Sequence, residues 1–332
     1  MRRSIVNDPD QLVPEALEGF VLSHPGRLAL DAEHRFVRRA EPARDKVGLV
    51  SGGGSGHEPL HAGFVGPGML DVAVAGAVFA SPTALQVLEA TKAADSGRGV
   101  VQIVKNYTGD VLNFRIAGEI SGDDEVETEI VLVDDDLATD TADGGGPGRR
   151  GTAATVIVEK ICGAAAEEGQ DLAAVADLGR RVAASARTMS LALAAGTHPG
   201  DEEPQFSLGD DEVELGVGIH GERAARRVPF TTADGLTDLL LDPLLEELDL
   251  SRGDELLAIV NGLGGTYPLE LNLVARRLHR RLADAGMSVG RSLVGSYVTS
   301  LDMHGVSLTL MPLDAELTRL WDAPVATPAL SW

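Results

Sequence analysis

Val47-Gly48-Leu49-Val50-Ser51-Gly52-Gly53-Gly54-Ser55-Gly56-His57-Glu58 passes from a short apolar run straight into glycines, serines and a histidine. The apolar start reads as a buried strand. Glycines just past a strand let the backbone bend tightly and bring its N–H groups near a ligand. Val72-Ala73-Val74, Val100-Val101-Gln102-Ile103-Val104 and Glu129-Ile130-Val131-Leu132-Val133 repeat the strand signal. Between the second and third of these four runs, Ser81-Pro82-Thr83 opens a helical stretch through Ala94, with proline expected in its first turn. Strands alternating with helices predict a layered α/β domain.

Working outward, residues 140–151 are rich in Gly and Asp and read as a loop. Residues from 152 to about 195 read as helical, broken near Gly169. Thr197-His198-Pro199-Gly200-Asp201-Glu202-Glu203-Pro204 reads as a linker. Beyond it the α/β rhythm returns, with strands over 213–217, 256–260 and 306–311 and helices over 233–248 and 269–285. The expected organisation is two α/β domains with mixed sheets, 1–195 and 196–332, the C-terminal tail being able to return to the first.

The 332 residues are 44% hydrophobic, as a packed two-domain protein would be. No apolar run reaches the ~18–20 residues needed to cross a bilayer. Met1-Arg2-Arg3-Ser4-Ile5-Val6-Asn7-Asp8 has basic residues with no apolar core after them, so no signal peptide is expected. Cys162, the one cysteine, sits among small apolar neighbours and reads as a buried hydrophobe. A cytoplasmic location is expected. The net charge of −23 would repel nucleic acid and anionic membrane, which excludes both as partners. Lysine is confined to Lys46, Lys92, Lys105 and Lys160. An acidic, lysine-poor surface suits concentrated salt, because salt screens the repulsion between carboxylates. The hypothesis predicts a higher melting temperature in molar salt than in dilute buffer, and no gain would remove it.

Several named motifs nearly fit the glycine segment and fail. A P-loop needs Gly-Lys-Ser/Thr, but His57 follows Gly56. His57 also occupies the third glycine of a dinucleotide fingerprint and the last glycine of a hydrolase elbow. His57-Glu58-Pro59-Leu60-His61 satisfies H-E-x-x-H. A zinc site needs both histidines inside one helix, and Pro59 with the preceding glycines puts His57 at a strand-to-helix turn instead. The favoured reading is an accidental match. His57 itself reads either as a turn residue or as a ligand contact at the carboxyl end of a strand.

Lys105-Asn106-Tyr107-Thr108-Gly109-Asp110 follows the strand ending at Val104. Asp110 reads equally as a helix cap or first-turn acid and as a catalytic group. Lysine and aspartate in one loop suit a hydroxylated substrate, one donating and one accepting. Gly216-Val217-Gly218-Ile219-His220-Gly221-Glu222 sets a histidine among small neighbours, which serves a turn or an unobstructed imidazole equally well.

Read together, these three segments closely resemble the dihydroxyacetone kinase K subunit, the DhaK family. Val78-Phe79-Ala80-Ser81-Pro82, Gly148-Arg149-Arg150-Gly151, Thr299-Ser300-Leu301-Asp302-Met303 and Leu320-Trp321-Asp322-Ala323-Pro324-Val325 extend the resemblance over essentially the whole chain. The resemblance implies that His220 forms a hemiaminal with a ketone carbon. Asp110 would be the general base for the substrate hydroxyl and His57 its partner in hydrogen bonding and proton transfer. Gly54, Ser55, Gly56 and Lys105 would fall at substrate-contacting positions, with the site near the domain junction. It further implies a homodimer acting on dihydroxyacetone. Arg223-Ala224-Ala225 departs from the more usual proline-containing stretch, and residues 241–253 are short.

No nucleotide site is identifiable, and no cofactor is expected on this chain. Single-chain relatives append a nucleotide-binding domain, so a separate L subunit is implied. It would carry ADP or ATP with Mg, recharged by a phosphotransferase-system donor or by ATP exchange. Asp134-Asp135-Asp136 is read as a solvated strand end in preference to a magnesium site. A non-catalytic dihydroxyacetone sensor and a kinase for a larger ketose such as erythrulose are the rival readings.

Overall fold

The structure, a computed structural model, describes residues 4–139, 148–222 and 226–332. Most of the glycine-rich loop expected over 140–151, and the departure at Arg223-Ala224-Ala225, lie outside the described residues. The chain forms two compact units, each drawn from separated segments. One comprises residues 5–133, 155–184 and 316–332, the other 134–154 and 185–315 with Ser4. The boundary expected at 195/196 falls inside the second of these.

The first unit opens with α1 (Leu12–Leu22), β1 (Leu28–Asp31), β2 (Phe36–Arg39), β3 (Gly48–Ser55) and β4 (Val72–Val78). It continues through α2 (Ala84–Ala94), β5 (Val100–Lys105), α3 (Thr108–Asp123), β6 (Thr128–Val133), α4 (Ala154–Glu167) and α5 (Leu172–Ser185). Its mixed sheet has the order β1-β2-β4-β3-β5-β6, with β4, β3, β5 and β6 mutually parallel. Both faces of that parallel core are covered, which is why its strands read as apolar runs. On one face Val50, Val74, Val100 and Val104 pack with Val87 and Leu88 of α2 and Phe114 of α3. Val131, pointing the other way from Ile130, lies against Gly179 of α5, itself close to Cys162.

Two local expectations change here. Gly52–Ser55 is not a loop: β3 runs to Ser55 and stays paired with β4, Gly52 facing Val74 and Ser55 facing Val78. Pairing with β5 ends at Ser51, so residues 52–55 are paired on the β4 side alone. The glycines answer to crowding, since a side chain at Gly52 would meet the Val74 carbonyl oxygen at 2.6 Å. Pro82 precedes α2 instead of occupying its first turn. Thr83 is the N-cap, its hydroxyl accepting from Gln86 N and its own N–H donating to Gln86 Oε1, a reciprocal cap.

The second unit contains β7 (Arg187–Ala194), β8 (Glu212–Leu215), β9 (Arg226–Pro229), α6 (Ala233–Glu247) and β10 (Glu255–Gly262). It ends with α7 (Pro268–Asp284), β11 (Ser288–Gly295) and β12 (His304–Pro312). The strand order is β11-β10-β12-β7-β8-β9, antiparallel throughout except for β10 with β11. Leu240 and Leu244 of α6 and Leu271 and Leu278 of α7 pack on Leu191, Val213, Val260 and Leu308. Residues 187–194, expected to be helical, are a strand between β12 and β8. Their Met, Leu and Ala are helix formers, but both faces are buried, and periodicity cannot separate such a run from a buried helix.

Asp135 and Asp136 are fully buried, contrary to the solvated strand end expected. The Asp135 carboxylate accepts from Thr152 N at 2.6 Å, Thr152 Oγ1 at 2.7 Å and Ala154 N at 3.0 Å, and also from the Thr188 hydroxyl. Asp136 pairs with Arg150 at 2.6 Å. Burial pushes the Asp136 carboxyl up to about 6 despite that arginine. These acids tie the chain together. After β12, α8 (Ala315–Asp322) and the tail belong to the first unit, where Ala326 N donates to Pro67 O and Ala329 N to Gly63 O. No helix among the described residues is long and apolar enough to cross a membrane.

Candidate active site

Lys105 ends β5 and Asp110 lies in the first turn of α3, so the two flank one tight connection. Tyr107 holds the N-cap position without a side-chain cap bond, and Asp110 is therefore not the cap. Both side chains are buried, Lys105 completely. The Lys105 ammonium stands 3.8 Å from Asp110 Oδ2 and donates to Gly52 O at 3.2 Å and His61 Nε2 at 2.8 Å. Asp110 Oδ1 is buried with no hydrogen-bond partner among the described residues. An unanswered buried acceptor is costly unless something arrives to satisfy it, and a substrate hydroxyl is a group of the right kind. Gly53 keeps the space open: a Cβ there would stand 2.4 Å from Lys105 Nζ and 3.4 Å from Asp110 Oδ2.

Behind the lysine lies a second layer. His61 Nδ1 is 2.7 Å from Glu159 Oε1 of α4 and 3.0 Å from Ser51 Oγ, whose hydroxyl donates to Ile103 O at 2.8 Å. His61 Nε2 accepts from an ammonium, so the proton sits on Nδ1 and the ring is neutral. Burial, then the charge of Lys105, holds the His61 imidazole well below its ordinary range. The His61–Glu159 contact is thus a hydrogen bond from a neutral ring rather than an ion pair. Burial lowers the Lys105 ammonium, with Asp110 and Glu159 opposing. It pushes the Glu159 carboxyl from 4.5 up to about 8, with Lys105 opposing. A carboxyl raised in the folded state keeps its proton where the unfolded chain has lost it, so its contribution to stability falls as pH rises from about 4.5 through about 8. Glu159→Gln removes that titration. Its melting temperature is expected to gain on the wild type as pH rises across this window, and a constant difference across the window would refute the assignment.

Beyond Ser55 the chain turns through residues 56–61 instead of entering a helix, so His57 and His61 do not share a helical face. His57 is buried and its ring stacks on Phe79, centroids 5.1 Å apart. Gly54 is forced by the backbone of Phe79 and Ala80, since a side chain would meet Phe79 Cα at 2.9 Å and Ala80 N at 2.7 Å. Ser55 Oγ donates to Gly76 O at 2.8 Å, and Gly56 N donates to the Glu58 carboxylate at 3.1 Å.

In the second unit, Gly216 to Glu222 forms a tight loop after β8. Gly218 N donates to Glu222 O and Gly221 N to Gly218 O. The Glu222 carboxylate grips His220 twice, accepting from its backbone N at 2.9 Å and lying 2.8 Å from its Nδ1. Burial would raise the Glu222 carboxyl, but His220 and Arg150 overcome it and hold the group at about 2. A Cβ at Gly218 would sit 2.0 Å from Glu222 Oε2 and 2.5 Å from Arg150 Nη1, so a side chain there would displace the carboxylate that holds His220. A carboxylate on Nδ1 fixes the ring and directs the basic character of the imidazole to Nε2.

Within the first unit the structure gathers Lys105 and Asp110, and sets His57, Gly54, Ser55 and Gly56 along the end of β3. Sequence reasoning missed Ser51, His61 and Glu159, and left Glu222 without a role. The second histidine of H-E-x-x-H was the one available signal for His61. Nothing local marks Glu159, 98 positions away in a largely apolar helix where Lys160 follows it directly.

Residues 18–329 match the model of the Dak1 domain. The chain is 43% identical to the dihydroxyacetone-binding subunit DhaK of the PEP-dependent dihydroxyacetone kinase of Escherichia coli strain K12, over 99% of both chains. Among solved structures it superposes on the dihydroxyacetone kinase operon co-activator DhaQ with a TM-score of 0.91 and 32% identity, covering 95% of this chain and 97% of that one. It superposes on the dihydroxyacetone kinase of C. freundii with a TM-score of 0.90 and 34% identity, covering 99% of this chain and 60% of that one. A match to the family model over nearly the full length, with a relative equally long and this similar, leaves one assignment: the chain belongs to the Dak1 domain family.

Proposed function

We propose that this chain is the dihydroxyacetone-binding subunit of a dihydroxyacetone kinase. The end-to-end identity with the E. coli subunit supports this most strongly. His220 adds through Nε2 to the ketone carbon: a C–N bond forms and the carbonyl π pair moves to oxygen, which takes up a proton. Nδ1, hydrogen-bonded to Glu222, gives one up, so the net change is addition of N–H across C=O. Covalent capture fixes the triose and presents its free hydroxyl. Asp110 then takes the hydroxyl proton as that oxygen attacks a phosphoryl group in line. The new O–P bond forms as the donor's breaks, giving dihydroxyacetone phosphate. His57, Lys105 and the backbone of Gly54, Ser55 and Gly56 position the substrate. The donor nucleotide, ADP or ATP with Mg, resides on a separate L subunit recharged by a phosphotransferase-system protein or by ATP exchange. The subunit works as a homodimer in the cytoplasm.

The test mixes the purified chain with an L subunit and its phosphoryl donor and follows transfer to dihydroxyacetone, erythrulose and glycerol. Transfer to a ketose with little to glycerol is expected. Turnover without the L subunit would contradict the split enzyme. Tight ketose binding with no turnover would move the assignment to a sensor, a reading favoured by the close superposition on the co-activator.

A further inference from the structure

Asp110 can act as a base only while it is ionised, and it is almost wholly buried. Burial disfavours a carboxylate unless a cation stands by it, and Lys105 is the cation in its immediate neighbourhood. The position of that ammonium is therefore a functional variable. Two of its hydrogens are spent, one on Gly52 O and one on His61 Nε2, which leaves the third on the side of Asp110. The second contact exists only while His61 keeps its proton on Nδ1. That tautomer is selected by the two acceptors facing Nδ1, Glu159 Oε1 and Ser51 Oγ. Oε1 can accept whether Glu159 is ionised or protonated, so the selection does not depend on its charge.

We propose that His61 and Glu159 are positioning residues for the phosphoryl-transfer step: the carboxyl fixes the imidazole tautomer, and the imidazole holds the Lys105 ammonium beside Asp110. The inference rests on the functional reading above and adds a relay of buried groups to it. The groups facing one another here are Lys105 from β5, Asp110 from α3, Glu159 and Cys162 from α4, and His57 and His61 from the turn after β3. Glu159 carries the raised carboxyl described above, burial being the leading cause. Its Oε2 is buried with no hydrogen-bond partner among the described residues, a poor arrangement for a group with a purely packing role.

The experiment compares Glu159→Met, which removes the acceptor, with Glu159→Gln, which keeps an acceptor oxygen. Phosphoryl transfer is measured with the full chain and a charged L subunit. Glu159→Met should lose about 100-fold in kcat with KM changed by less than about threefold, as expected when a reacting group is misplaced and substrate binding is not. Glu159→Gln should recover most of that loss, because its amide oxygen still accepts from His61 Nδ1. A folded Glu159→Met with wild-type kcat overturns the proposal, as does an equal loss in both variants. Nitrogen NMR of the histidine-labelled wild type, with His61 identified by its disappearance in a folded His61→Gln variant, needs no turnover. It should show His61 protonated on Nδ1 alone, and an imidazolium or an Nε2–H ring overturns the relay. Failure of the wild type to phosphorylate any ketose would instead count against the functional reading, leaving the tautomer to decide this one.

Discussion

Asp110→Asn is expected to lower phosphoryl transfer to dihydroxyacetone by about 10³-fold while leaving ketose binding nearly intact, the range seen when a positioned general base is lost. The substitution keeps shape and removes charge. The amide cannot accept the hydroxyl proton, and its NH2 group would face the Lys105 ammonium 3.8 Å away if oriented as Oδ2 is now. The variant therefore separates catalysis from capture, because the proposed covalent bond is made by His220. The measurement is single-turnover transfer from a charged L subunit alongside calorimetric ketose binding. Wild-type turnover in a folded variant would remove Asp110 from the chemistry, and loss of binding in step with turnover would make it a structural group.

His220→Ala should have the second largest effect, of a different kind. Ketose affinity is expected to fall by about 100-fold or more, and the preference for ketose over glycerol to narrow sharply, since only a carbonyl carbon can be attacked by imidazole nitrogen. Discrimination between the two would be chemical: glycerol offers the same hydroxyls in nearly the same volume. Mass spectrometry of the intact adduct, without a reducing agent, and competition by glycerol would check it. An undiminished ketose preference would show that pocket shape, not a covalent bond, makes the selection. Glu222→Gln should fall between wild type and His220→Ala, because the amide can hold Nδ1 but supplies no negative charge to the ring.

Much of the architecture could be read from residues alone, and the failures have common physical causes. The buried parallel strands were legible because both of their faces are covered, so they appear as uninterrupted apolar runs. The edge strands of the second sheet were not. β9, Arg-Arg-Val-Pro, and β11, with two glycines and a mostly open face, carry little burial and hence no pattern. β7 failed for the opposite reason, being apolar throughout and built from helix formers. The glycines of β3 were seen, but the sequence did not show that they also make room for neighbouring backbone and for Lys105. Lys105, Asp110, His57 and His220 stood out in the sequence because each lies at or just past a strand end amid small or polar residues, and the structure brings Lys105 and Asp110 together within the first unit. His61, Glu159 and Glu222 act through partners brought to them by the fold, and a linear sequence carries no mark of such distances.

The first unit is closed by the last residues of the chain. Lys160 Nζ donates to Leu320 O, and Trp332 Nε1 donates to Trp321 O within that same closing segment. During synthesis, the segment 5–133 must wait for residues 316–332 before its packing is complete, whereas the unit ending at residue 315 can finish earlier. Nascent protein stalled short of residue 316 should thus present an unsealed first sheet to chaperones and proteases, an order of maturation opposite to the order of translation.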